Sequence, residues 1–278
     1  MASKPAGAPL FDEARLRRHR ALSSSIKNPT GLILQRYIEE DLAIKVKNLR
    51  LCPDLCRLLI WGSRLDQLPQ TLGMLFPKAT IVLGDVAPSL LENRSFEGYP
   101  FPHEKEISFE ENSLDLALSC LSLQTLNDPL SVLENYYRLL SPGGVFIASF
   151  LGGQTLQHLH QGLLSLELSL DTGAHQRVIP MIDLSTALSL LQQAGFTGCI
   201  ADRDALSFSF KSLDDFRHFL KTLGLQAPLQ EMPPTSKRLY RHLKALTDLT
   251  THVIFDVISV IGWKKNARYP ALDVSPLS

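Results

Sequence analysis

The sequence lacks an excess of charge of either sign. Its 278 residues hold 28 Lys and Arg against 28 Asp and Glu, so the formal net charge is zero. A protein that binds nucleic acid neutralises phosphates with a surplus of cations on at least one face. The balance argues against a nucleic-acid partner and favours a small molecule or another protein.

Cysteines and long apolar runs are also scarce. The four cysteines are Cys52, Cys56, Cys120 and Cys199. Only the first two stand close together, and a zinc site needs further Cys or His ligands at short spacing. We therefore expect reduced thiols, as in a cytosolic protein, and assign no metal. The longest apolar runs, 145–151 and 253–261, are too short to cross a bilayer.

Residues 11–47 have the pattern of two helices separated by the breaker segment 28–31. The first of them is basic, with arginines at Arg15, Arg17, Arg18 and Arg20. Such a stretch is either a solvated helix face or a surface that meets an anionic ligand or partner.

From residue 48 onward, short apolar runs alternate with helical stretches. The runs are 58–61, 80–83, 114–121 and 145–148, and helices are predicted from Asp128 to Leu140 and from Asp183 to Ala194. Towards the C-terminus the pattern predicts a strand at 206–210, helices at 213–223 and 236–248, and a last strand at 252–263. Continuous apolar strands alternating with helices are typical of a doubly wound, mostly parallel α/β sheet.

Ligands of such sheets bind beyond the carboxyl ends of the strands, so the turns after the first two strands matter most. Gly62 follows the first strand and Asp85 ends the second, 23 residues later. At this spacing the acid can accept hydrogen bonds from a ribose held over the first turn. A turn glycine and a helix-capping acid would give the same pattern.

The segment 107–153 resembles the central region of class I S-adenosylmethionine (SAM)-dependent methyltransferases of the type 11 group. FDEARLRRHRA, LGGQTLQHL, LLQQAGF and VIGWKK resemble one branch of that group. This branch holds the malonyl carrier-protein methyltransferase of biotin synthesis and the complex I assembly factor, a methyltransferase-like arginine hydroxylase. The resemblance covers about residues 10–265 and implies a seven-stranded Rossmann-like sheet.

The resemblance also implies a domain organisation and a setting. Residues 1–47 would form an N-terminal helical arm and 48–265 the methyltransferase-like domain, whose part 196–265 adds helices and the last strand. Residues 266–278 would be a tail. A bacterial cytoplasm is the expected location, with the mitochondrial matrix as the less favoured one.

Carried over position by position, the resemblance implies a SAM site. Gly62 takes the place of the first glycine of the SAM loop, and Asp85 that of the acid that holds the ribose. His103 and Glu104 fall where an acid lies beside the adenine, and Cys120 lies near the transferred methyl group. The candidate cofactor-binding residues are Gly62, Ser63, Arg64, Asp85, Val86, His103, Glu104 and Cys120; no catalytic residue is assigned.

The first loop departs from the family pattern. Ile60 stands at the position of an acid, and Arg64 and Asp66 stand at the positions of two glycines. These side chains are expected to lower SAM affinity, because a side chain there would collide with the methionine moiety. In one interpretation Arg64 pairs with the methionine carboxylate and Glu104 replaces the displaced acid. In the other, Arg64 is solvated and Asp66 caps the following helix.

Two functions follow from the resemblance. The first is SAM-dependent methyl transfer to an unidentified acceptor. The alternative is a non-methylating family member that acts as a binding or assembly factor for a protein partner, such as a respiratory complex I subunit. The sequence gives no indication of the acceptor or the oligomeric state.

Overall fold

The computed structural model describes residues 9–26, 32–49, 51–52, 54–170, 173–245 and 252–266. The predicted breaker at 28–31 lies outside these residues, as do the last residues of the predicted helix 236–248 and almost all of the predicted tail.

Seven strands form one sheet across the described residues. They are β1 (Arg57–Trp61), β2 (Thr80–Asp85), β3 (Glu97–Pro100), β4 (Leu114–Cys120), β5 (Leu140–Gly152), β6 (Thr197–Ser209) and β7 (His252–Trp263). Their order is β3-β2-β1-β4-β5-β7-β6, with β7 antiparallel to both neighbours and all other pairs parallel. The predicted doubly wound, mostly parallel fold is confirmed.

Helices flank this sheet. They are α1 (Glu13–Ser24), α2 (Ile33–Asn48), α3 (Gln67–Leu75), α4 (Pro129–Leu139), α5 (Gln157–Ser169), α6 (Leu184–Gln193), α7 (Leu213–Leu223) and α8 (Lys237–Ala245). Side-chain caps fix several starts, since a carboxylate there accepts from a free backbone amide of the first turn. Asp12 caps α1, Asp128 caps α4 and Asp183 caps α6.

The two faces of the sheet carry separate apolar cores. On one face α2 buries Leu34, Ile38 and Leu42 against side chains of β1 and β4. On the other face α4 and α6 cover a cluster that includes Tyr136 and Phe146. Each strand of the sheet's centre is therefore apolar on both sides, which explains the continuous runs in the sequence.

Three strands depart most from the sequence prediction: one was missed and two begin earlier than expected. The sequence pattern missed β3, because its four residues are exposed and include no apolar run. β6 begins at Thr197, nine residues before the predicted start, since its side chains alternate between half-buried and exposed. β5 begins at Leu140, five residues before the predicted run at 145–148, and its register against β4 shifts between Leu114 and Leu116.

The arm helix α1 lies against the carboxyl ends of the central strands. Two hydrogen bonds join Phe11 to Asn127, from the Phe11 amide to Oδ1 (2.8 Å) and from Nδ2 to the Phe11 carbonyl (3.0 Å). The Asp12 amide donates to the Pro228 carbonyl at 2.7 Å. These bonds fix α1 beside the edge where the sequence predicts a ligand.

Candidate functional site

A cleft opens where β1, β2 and β4 end beneath α1. Its cavity volume is about 80 Å³. Six of the eight predicted cofactor-binding residues line it: Gly62, Asp85, Val86, His103, Glu104 and Cys120. The topology thus brings together residues as far apart in the sequence as Gly62 and Cys120.

Gly62 allows the ends of β1 and β4 to approach closely. Its φ is +74°, and a Cβ atom added there would overlap the carbonyl oxygen of Cys120. Only glycine combines this backbone conformation with this approach at no steric cost. The first glycine of the predicted loop therefore has a defined structural reason.

Asp85 is buried at the end of β2 and paired with an arginine of α1. Arg20 donates through Nη2 to Asp85 Oδ2 and, at 3.3 Å, to the carbonyl of Gly62. Asp85 Oδ1 accepts from the Ala87 amide at 2.9 Å. Since each carboxylate oxygen has two acceptor positions, Asp85 retains capacity for two further donors, such as ribose hydroxyls.

The other terminal nitrogen of Arg20, Nη1, has no acceptor among the described residues. Arg20 as a residue is 6% exposed and lines the cleft. A buried guanidinium nitrogen is costly to leave unbonded, so an anionic or carbonyl oxygen of a ligand would stabilise it. The basic stretch of the first helix thus meets the cleft rather than only solvent, at this one arginine.

Glu104 forms the opposite wall of the cleft. Its carboxylate accepts from the hydroxyls of Ser119 (2.8 Å) and Tyr136 (2.6 Å), and also from Ser122. Burial raises the pKa of Glu104. His103 turns instead towards α1, where Nε2 lies 3.1 Å from Glu13 Oε2. Both residues line the cleft, and Glu104 is the one that brings a carboxylate to it.

The loop after β1 is held by a carboxylate that sequence reasoning did not identify. Glu39 of α2 is 1% exposed and accepts from the amides of Arg64 (2.8 Å) and Leu65 (3.3 Å) and from the Ser63 hydroxyl (3.1 Å). Gln35 donates to it at 2.6 Å. Burial raises the pKa of Glu39, and the donated amide hydrogen bonds oppose that rise.

Arg64 and Asp66 turn away from the cleft. Arg64 Nη2 donates to the Ser23 carbonyl of α1 at 2.9 Å, and Nη1 donates to the Thr222 carbonyl of α7. Burial, with the neighbouring charge of Arg20, lowers the Arg64 pKa to about 10. Neither sequence interpretation of Arg64 holds, because its side chain is half-buried and bonded to these carbonyls.

The expected capping role of Asp66 is also wrong. No hydrogen bond joins its side chain to the described first turn of α3. Asp66 instead accepts from Nε of Arg94, which also donates to the carbonyls of Ser63 (3.0 Å) and Leu65 (2.9 Å). The ion pair therefore braces the loop from the side opposite Glu39.

A signal for these missed residues exists in the sequence only in part. Gln35 and Glu39 stand one helical turn apart on the buried stripe of α2, where polar residues are unexpected. Arg20 is one of several arginines, and nothing local separates it from the others. The described residues contain no group of three His, Cys, Asp or Glu side chains that could hold a metal ion.

The sequence was compared with protein-family models and with known proteins. The methyltransferase domain model matches residues 79–148. The mitochondrial arginine-hydroxylase NDUFAF5 of Danio rerio is 28% identical over 196 residues, covering 66% of this chain and 61% of that protein. A malonyl-[acyl-carrier protein] O-methyltransferase of Coxiella burnetii is 27% identical over 72% of this chain and 67% of its own length. The chain thus spans less than two thirds of the mitochondrial relative.

Solved structures share the fold at low identity. The YcgJ protein of Bacillus subtilis has a TM-score of 0.53 at 14% identity, over 82% of this chain and 99% of its own. Phosphoethanolamine N-methyltransferase 2 of Haemonchus contortus, solved with phosphomonomethylethanolamine and S-adenosylhomocysteine, has a TM-score of 0.51 at 15% identity. That match covers 81% of this chain and 53% of the Haemonchus protein.

Proposed function

Because this chain belongs to the class I SAM-dependent methyltransferase superfamily, we propose that it binds SAM in the cleft beneath α1 and transfers the methyl group to an acceptor. The observation that carries this proposal is the position of Asp85. It ends β2, faces the same cleft as Gly62 at the end of β1, and keeps acceptor capacity. This is the arrangement that a ribose over the first turn requires.

The other residues of the cleft fit the remaining parts of the cofactor. Glu104 and Val86 flank the position proposed for the adenine, and Cys120 lies beside Gly62 at the end of β4. Arg20 offers a buried donor near the Gly62 carbonyl, where the methionine carboxylate of SAM would be neutralised. Ser63 and Arg64 bond to residues outside the cleft, and we propose that they act by fixing the conformation of the loop.

SAM supplies a sulfonium methyl group that an acceptor lone pair takes, while the electrons of the broken C–S bond stay on sulfur. The chain's part is to hold the two reactants in line and to exclude water. Cys120 does not supply a thiolate here, since burial raises its pKa well above the ordinary value. An acceptor that is already nucleophilic, such as a carboxylate, needs no base from the protein.

A second candidate is a non-methylating role towards a protein partner. The paired state of Asp85 and Arg20 and the altered first loop favour it, as does the resemblance to mitochondrial arginine-hydroxylases.

No helix among the described residues is long and apolar enough to span a membrane. For the setting we propose the bacterial cytoplasm, which the Coxiella burnetii relative supports.

Ligand titration tests the proposal. SAM or S-adenosylhomocysteine should raise Tm, because a ligand that binds only the folded state stabilises it by about 2.7 kcal/mol at 100 times Kd. Asp85→Asn should weaken the effect, since an amide replaces one acceptor oxygen with a donor. An unchanged Tm at millimolar ligand would overturn the proposal and leave the second candidate.

A further inference from the structure

A second cavity adjoins the cleft and is almost wholly apolar. Eleven of its fourteen lining residues are Leu, Val, Ile, Met, Ala or Phe, contributed by the end of β5, by α5 and the residue before it, by α7, by β7 and by the loops at 178–181 and 225–227. Thr125 and Leu225 line both cavities, so the two are neighbours across these side chains. Burying an aliphatic chain against such walls removes apolar surface from water and is favourable.

Two of its three polar side chains are engaged by the protein. Arg177 donates to Glu167 Oε1 at 2.6 Å and to the Pro233 carbonyl at 3.0 Å. The Thr125 hydroxyl donates to the Ser122 carbonyl at 3.1 Å. Among the described lining residues, the one cation, Arg177, is therefore already paired with a carboxylate.

Gln124 is the exception. Its side chain is 2% exposed, and Nε2 donates to the Leu121 carbonyl at 2.8 Å. This bond fixes the orientation of the amide, because only the nitrogen can face a carbonyl. No described residue donates to the buried Oε1. A ligand with a hydrogen-bond donor would stabilise this buried acceptor beside the apolar cavity.

We propose that this cavity binds the aliphatic chain of the acceptor, with a neutral donor group of the ligand, a hydroxyl or an amide N–H, bonded to Gln124 Oε1. The aliphatic chain of the ligand lies among the leucines of α5 and the loop 178–181. The polar end then lies at Thr125, beside the cleft proposed for SAM. The identification of this ligand as the methyl acceptor rests on the proposed function, whereas the binding of an aliphatic chain in the cavity does not.

Two probes separate the apolar contribution from the hydrogen bond: 1-decanol and its methyl ether, which has the same chain and no donor. Equilibrium dialysis of the full chain without SAM should show one saturable site for both. The alcohol should bind roughly fivefold tighter, as one net hydrogen bond of about 1 kcal/mol gives. Gln124→Leu should abolish this preference and keep binding of the ether.

Filling the cavity should remove binding. Ala227→Trp and Ile179→Trp place an indole in it from two different loops. Ala205→Trp, on the exposed side of β6, is the matched control and should bind both probes as the native chain does. Circular dichroism and Tm identify variants that do not fold. If both cavity variants fail to fold, the Gln124→Leu comparison decides.

The absence of a saturable site in the native chain would overturn the proposal, as would unchanged binding in folded Ala227→Trp or Ile179→Trp. An alcohol preference that survives Gln124→Leu would also overturn it. These results are independent of SAM, so failure here is distinguishable from failure of the proposed methyl transfer. If decanol binds and S-adenosylhomocysteine does not, the cavity stands and the methyltransferase function falls.

Discussion

Arg20→Met isolates the contribution of the arm helix to the cleft. In the native chain Arg20 pairs with Asp85, bonds the Gly62 carbonyl at 3.3 Å and keeps Nη1 without an acceptor among the described residues. Methionine retains most of the side chain's length and apolar stem but none of its donors. We expect the variant to lose affinity for ligands that carry an amino-acid carboxylate and to retain affinity for those that do not.

The size of the effect follows from the burial of the pair. The Arg20 and Asp85 side chains are 8% and 2% exposed, so the variant leaves a buried carboxylate without its cation. Breaking a buried pair costs about 3–5 kcal/mol, which lowers Tm by roughly 6–20 °C. A hydrogen bond between charged groups contributes about 1.5–3 kcal/mol, or roughly 10- to 150-fold in Kd.

Isothermal titration with two ligands measures this difference. S-adenosylhomocysteine carries the carboxylate, whereas 5′-methylthioadenosine has the same adenosine and lacks it. Arg20→Met should weaken the first by roughly 10-fold or more and change the second little. Arg17→Met is the matched control, since Arg17 lies on the same helix and, among the described residues, donates to the exposed Pro102 carbonyl at 3.3 Å and not to Asp85. Equal losses for both ligands in Arg20→Met would refute the proposed role.

Three further predictions concern stability. Glu39→Gln should lower the free energy of unfolding by about 1–3 kcal/mol in urea titrations, because the new NH₂ faces donors of the loop; an unchanged value would contradict its role. Burial raises the Glu104 pKa above 4.5, so the stability that its protonated form contributes is complete at low pH and is lost as the pH rises through the raised pKa. Relative to Glu104→Gln, the native chain should therefore lose stability as the pH rises above the ordinary carboxyl pKa of 4.5, and parallel pH profiles would count against this. Gly62→Ala should cost at least about 2 kcal/mol through its positive φ and its overlap with Cys120, whereas Gly73→Ala, whose Cβ would meet Ile81 at 3.8 Å, should be neutral or stabilising.

The central strands could be predicted because burial on both faces leaves a continuous apolar run. β1 and β2 were found from such runs, and the structure moves their ends by two residues at most. β3 has four exposed residues and pairs with β2 at the edge of the sheet. Its backbone hydrogen bonds with β2 do not require apolar side chains, so the sequence shows no apolar run there. The two edge strands, β3 and β6, are therefore the ones that the sequence predicted least well.

The site divides in the same way. Gly62 and Asp85 could be predicted because each follows directly from a strand end, and strand ends of a parallel sheet meet at one edge. Arg20 and Glu39 act across 65 and 25 positions, respectively, from helices whose placement depends on packing. No local pattern specifies which arginine of a basic helix turns inward, so this part of the site required the structure.

The unusual loop is better explained as a rebuilt loop than as a degraded one. Glu39 supplies, from α2, the carboxylate that is missing where Ile60 stands, and it bonds the loop amides directly. Arg64 bonds carbonyls near the C-terminal ends of α1 and α7, where the helix dipole favours a cation. It thereby fixes the helix that carries Arg20 to Asp85. Arg64, which stands at the position of a glycine in the family pattern, thus bonds the helix that carries Arg20.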